Sequence, residues 1–220
     1  MKRHMKRQSM PKTWPLARKG TTFVVKPLAN ASMGVPILVA LRDILKLTAN
    51  RQETKRALKE GNIMLNGKLA REDKQSVLIF DVITIILSKK SYRLIIGEKG
   101  KFNFEEIKEA ESGKKVAKII GKKLLKKGQM QINLMGGNNV LSKLDFKGKV
   151  NDSVSINLKD SKIDKVLELK NKSKFLVLQG RHAGETLKAE KISDDRKVVE
   201  VSTEDNKTLN IPTKFIMVLE

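Results

Sequence analysis

The dipeptide Asn66-Gly67 constrains the fold of this chain more tightly than any other pair in it. It sits inside "EGNIMLNGKLA", residues 60–70, with apolar residues on both sides. A two-residue type I′ turn needs positive φ at both central positions, and Asn-Gly supplies it at the least steric cost, so a β-hairpin is predicted here. The hairpin register puts Ile63 and Leu65 on one face and Met64 on the other. A helix leads directly into it. Asn50 is a good N-cap, and Glu53, at N3, can reach back to the cap N–H. The pattern runs through "RQETKRALKE" to Gly61, the residue type expected just past a helix end. Ala57 and Leu58 face inward on this helix, leaving Arg51, Lys55, Arg56 and Lys59 outside.

Flanking segments extend the unit. Pro36 suits the first turn of a helix. Ile37, Leu41, Ile44, Leu45 and Thr48 follow at helical spacing, predicting an amphipathic helix to about Leu47 with Arg42 and Lys46 on one face. The longest apolar run, "VLIFDVITIIL" at 77–87, carries Asp81 in its middle and is too short to span a bilayer. Its Val/Ile/Thr content reads as one long buried strand that ends the compact unit.

Charge indicates the partner. The chain holds 46 Lys/Arg against 24 Asp/Glu, a formal net charge of +22, which points to nucleic acid or an anionic membrane. Cys is absent, which excludes disulfides and thiolate metal sites, and His4 and His182 are too few and too far apart for a metal centre. No cofactor is implied. Residues 1–37 carry eight Lys/Arg and no acid, whereas 171–220 carry nine and eight. The N-terminal segment has Pro11, Pro15 and Pro27 and no sustained periodicity, so it is expected to be an extended basic arm. Lys2, Arg3, Lys6, Arg7, Lys12, Arg18 and Lys19 are its candidate phosphate contacts, and Trp14 an anchor on protein or on a base. No secretory signal is present, and a cytoplasmic protein is expected.

Beyond residue 90 the chain reads as strands. "SYRLIIGEKGKFNFEEI" gives two joined at Gly97–Gly100, "GQMQINLMGGNNVLSKLDF" a hairpin about residues 136–139, and "DSVSINL" one more. "KKVAKIIGKKLLKKG" reads alone as a basic amphipathic helix, but its neighbours favour a strand ending near Gly121 and then a lysine-rich loop with Lys122 and Lys123. The last fifty residues are short strands spaced as in a small closed β-barrel. Gly180 and Gly184 stand at tight turns, and Arg181 at a loop tip is a candidate phosphate or protein contact. His182 lacks a partner nucleophile, so no catalytic residue is assigned and no enzyme is predicted.

"ANRQETKRALKEGNIMLNGKLARED" resembles the α-L ("S-four") RNA-binding motif, with its basic helix, glycine and "-NGK" hairpin. The resemblance implies RNA contact by Arg51, Lys55, Arg56, Lys59, Asn66 and Lys68. "HMKRQSMPKTWPLARKGTTFVVKPLANASMG", "YRLIIGEKGKF", "QINLMGGNNVL" and "KFLVLQGRHAGETLKAEKI" are similar, in collinear order, to the small-subunit ribosomal protein S-four-e family of archaea and eukaryotes. The last of these segments resembles that family's KOW module, an SH3-like barrel. The chain stops at Glu220 without the eukaryotic tail, which looks archaeal. The family implies an α+β, multidomain chain: a basic arm at 1–36, an α-L domain at 37–90, a central β-rich domain at 91–172 and a KOW barrel at 173–220. It implies a structural constituent of the small ribosomal subunit whose partners are rRNA and neighbouring ribosomal proteins, with no membrane and no small-molecule substrate. The alternative is an RNA-modifying or translation-associated factor that uses the α-L unit for targeting.

Overall fold

The computed structural model describes residues 4–125, 128–143, 146–193, 195–202 and 208–219. It divides into two compact units, Met1–Gly97 with Lys101–Gly113, and Glu98–Gly100 with Lys114–Glu220.

In the first unit the Asn66-Gly67 hairpin joins strands Ile63–Leu65 and Lys68–Leu69. They extend into a five-stranded antiparallel sheet through Val82–Ile85, Lys90–Ile96 and Phe102–Ile107. This sheet continues past residue 90, where the central domain was expected to begin. Helix Arg51–Lys59 buries Thr54 and Leu58, and Ile63, Leu65 and Ile83 are buried on the sheet.

The 77–87 run is two strands. Ser76–Leu78 pairs with Gly34–Pro36, and Val82–Ile85 pairs with the hairpin. Between them Phe80 takes a positive φ of 64°, which no extended strand accommodates. The Asp81 carboxylate accepts the Leu78 N–H at 2.7 Å, closing the bend. Gly34 is needed where it stands, because a Cβ there would run into the Val77 carbonyl oxygen.

The first helix differs from the amphipathic expectation. Residues 37–41 are all buried, so the helix is apolar on every side at its start. It runs as α over Ile37–Val39 and widens to π over Ala40–Ile44, with Leu45 N–H donating to Ala40 O at 2.9 Å. Lys46 follows at φ 54°, beyond the helix, so it does not share a helical face with Arg42.

The N-terminal segment is folded, and not the extended arm expected. Met5–Lys6 pairs with Phe23–Val24. Trp14 is 1% exposed and its Nε1–H lies 2.9 Å from Ala31 O and 3.0 Å from Gly34 O. Phe102 N–H donates to Thr13 O at 2.8 Å, tying the segment to the sheet's last strand.

The second unit opens with a five-stranded antiparallel sheet in the order Asn139–Lys143, Gln129–Leu134, Lys114–Leu124, Ser153–Asn157, Ile163–Leu167. The lysine-rich segment is thus strand throughout to Leu124. The expected loop at Lys122-Lys123 is instead paired with Ile132 and Gln131, and a bulge between Ile119 and Gly121 absorbs the mid-pattern glycine. Ile119, Ile132, Leu134 and Val154 form its core. The last fifty residues make two three-stranded sheets, Thr186–Lys188, Lys174–Val177, Ile216–Val218 and Lys191–Ile192, Val198–Ser202, Thr208–Pro212, around Phe175, Val177, Val199, Val201 and Ile216.

Candidate nucleic-acid interface

Helix Arg51–Lys59 is held at both ends. Asn50 Oδ1 accepts the Glu53 N–H at 2.9 Å, and Glu53 Oε2 accepts the N–H of Ala49 at 2.7 Å, one residue before the cap position expected. At the other end Gly61 takes φ 73°, its N–H donating to Leu58 O, while Asn62 N–H donates to Ala57 O. This is a Schellman closure, and it turns the chain straight into the hairpin.

The outward face is cationic but not uniformly free. Arg51 Nε meets the Asp73 carboxylate at 2.5 Å, and Arg56 Nε meets Glu60 at 2.9 Å. Lys55 and Lys59, one turn apart and exposed, have no ion-pair partner among the described residues. The exposed Arg56 pair adds little stability, so its guanidinium can exchange to a phosphate at small cost.

Asn66 is turned inward. Its Nδ2–H donates to Asp81 Oδ1 at 2.8 Å and its Oδ1 accepts the Val82 N–H at 3.0 Å, with φ 51°. The side chain locks the hairpin to the Phe80–Asp81 bend, and Lys68 stands exposed just past Gly67, whose φ is 75°. The polar stretch after the hairpin adds exposed Arg71 and Lys74, which the helix and turn signals did not single out.

Elsewhere the predicted cations divide by role. The Arg7 guanidinium donates to Thr21 O, Ala17 O and Thr21 Oγ1 at 2.7–2.8 Å, and Arg18 donates to Gln8 O and Met10 O, so both brace the N-terminal fold. Trp14 packs on protein. Lys6, Lys12, Lys19 and Lys46 are exposed, while Arg42 pairs with Asp43 at 2.8 Å. Lys2 and Arg3 lie outside the described residues. In the second unit Lys122 Nζ lies 5.1 Å from the Phe146 ring centroid, a cation–π contact, and Lys123 is exposed on the other face. Arg181 is exposed between Gly180 (φ 110°) and Gly184 (φ 94°), and His182 Nδ1 is 3.0 Å from Glu185 Oε2.

No group of three or more His, Cys, Asp or Glu among the described residues is placed to hold a metal. No helix among them is long and apolar enough to cross a membrane. Aromatic residues are 4% of the chain, too few for a base-stacking platform, and the exposed groups suit phosphate instead.

The family model described as Ribosomal family S4e matches residues 88–163, and that of the RS4NT (NUC023) domain matches residues 1–29. The small ribosomal subunit protein eS4 of Methanocella arvoryzae is 35% identical over 212 residues, covering 95% of this chain and 87% of its own. That of Haloarcula marismortui is 30% identical over 227 residues, covering 100% and 97%. The crystal structure of 30S ribosomal protein S4e from Thermoplasma acidophilum shares the fold at a TM-score of 0.71 and 23% identity, over 85% of this chain and 95% of that one. The chain is a basic α+β protein, and the relatives it matches are ribosomal proteins of the small subunit. Within that class the chain belongs to the S4e (eS4) family.

Proposed function

We propose that this chain is a structural constituent of the small ribosomal subunit that binds and helps to order small-subunit rRNA through phosphate and shape contacts. Its other partners are neighbouring ribosomal proteins, and it works in the cytoplasm. The observation that carries the reading is the pair of exposed, unpaired lysines, Lys55 and Lys59, on a helix clamped at both ends beside the Lys68 turn. A rigid row of point charges follows a phosphate backbone without reading bases. Two finer assignments rest on sequence resemblance: an α-L domain at 37–90 and a KOW barrel at 173–220, separated by a central domain and preceded by residues 1–36.

The test is filter binding of the full chain to small-subunit rRNA across a salt series. If about six to eight phosphates are neutralised, log K falls with log[salt] at a slope of roughly −4 to −7. A slope near −1, or absence of the chain from small-subunit particles, would overturn the reading.

A further inference from the structure

The C-terminal fifty residues hold nine Lys/Arg and eight Asp/Glu, so their average charge suggests no affinity for a polyanion. The strand register overturns that average. Lys174 stands directly opposite Lys188 in the antiparallel pair of Lys174–Val177 with Thr186–Lys188, and both are exposed. This is the one like-charge cross-strand pair among the described residues; elsewhere Lys191 faces Glu200 and Arg93 faces Glu105. Like charges directly opposite destabilise a sheet. Nothing in the packing requires a lysine at either position, since the adjacent Phe175 and Leu187 supply the residues turned to the core.

Lys174 also lines an open groove of about 440 Å³, bounded by the edge strand Ile163–Leu167 and by Val218 and Leu219. Lys165 and Lys170 stand on the same groove. Its one acid, Glu168, is already taken by Lys170 at 2.8 Å. No aromatic side chain lines it, so it offers cations over an apolar wall and no stacking surface for a base.

We infer that the exposed Lys174–Lys188 pair, which meets this groove at Lys174, is a second phosphodiester site, in which the two lysines hold backbone phosphates of the bound RNA. The inference rests on the rRNA reading above and adds a contact surface in a segment whose charge count hid it. A phosphate seated by the two lysines converts their mutual repulsion into two attractions, and the ammonium groups bind it as point charges. An acidic peptide is the competing occupant.

The test is lysine acetylation of the full chain, free and bound to small-subunit rRNA, read by mass spectrometry. Lys174 and Lys188 are expected to lose reactivity several-fold in the complex. Unchanged reactivity there, with Lys55 and Lys59 protected, overturns this inference and leaves the functional reading standing. Protection of no lysine overturns both. Protection of Lys174 and Lys188 by polyglutamate but not by RNA also overturns the inference, in favour of an acidic protein. A second arm uses Lys174→Gln, which is expected to raise Tm by about 1–4 °C as the repulsion is relieved, and to make the salt slope shallower by about 1. A raised Tm with an unchanged slope overturns it as well.

Discussion

Asn66 and Lys68 sit two residues apart and do different work. The Asn66 amide is used at both ends, on Asp81 and on the Val82 N–H, and the backbone takes a left-handed φ that asparagine tolerates better than other side chains. Removing the amide leaves a buried carboxylate short of one donor and a backbone N–H short of its acceptor. Asn66→Ala is therefore expected to cost about 2–3 kcal/mol of stability in urea unfolding. Lys68 is exposed beside the turn, so Lys68→Ala is expected to stay within about 0.5 kcal/mol of the parent while weakening RNA binding. Equal destabilisation by the two substitutions would remove this division of roles. The Asn-Gly signal located the turn, but the partner of its side chain lies 15 residues away, at a bend hidden within a continuous apolar run.

Elements legible in the sequence are those whose cause is local. The capped helix, its glycine stop, the hairpin, and the strand pairs joined at Gly97–Gly100 and about residues 136–139 all follow from short-range chemistry. Two elements depended on distant residues. The π-turn at Ala40–Ile44 looks like ordinary helix in its spacing, and the strand Lys114–Leu124 reads as helix or strand until its partners are placed. That strand also carries an unusual residue. Lys118 is 3% exposed, and its Nζ donates to the carbonyls of Thr213 and Ile216, joining the five-stranded sheet to the C-terminal segment. Burial pushes its pKa down from 10.5 to about 8. Between these two values the unfolded chain holds a proton that the folded chain has released, so stability rises with pH across the window. The lysine's contribution amounts to at most about 3 kcal/mol, which is lost again as pH falls back through 8. Urea melts at pH 7.5, 9 and 10.5, comparing the parent with Lys118→Met, isolate the effect because the remaining lysines titrate in both. The parent is expected to gain on the variant as pH rises, and a constant difference would show that Lys118 titrates normally.

At the scale of the whole molecule, the question is what the basic N-terminal segment contributes. Its composition is that of a solvated tail, and the feature that folds it, Trp14, finds its acceptors 17 and 20 residues further on and its companion strand near Phe102. Such contacts leave no periodic trace, which is why the segment reads as extended. The consequence is that two of its arginines are spent on internal carbonyls while Lys6, Lys12 and Lys19 remain exposed on a folded base. A flexible polycation must order itself at the moment it binds, whereas a folded one presents its charges with that entropy cost already met. The two pictures separate on stability. A tail can be removed freely, but Trp14→Ala empties a site that is 1% exposed and is expected to cost about 3–5 kcal/mol, lowering the Tm of the first unit by roughly 10–30 °C. Because this is the one tryptophan in the chain, its emission gives an independent reading. It is expected to be blue-shifted in the free protein and unchanged on adding rRNA. A red, exposed spectrum that shifts or quenches when RNA binds would place Trp14 on a base and return the segment to the role of an arm.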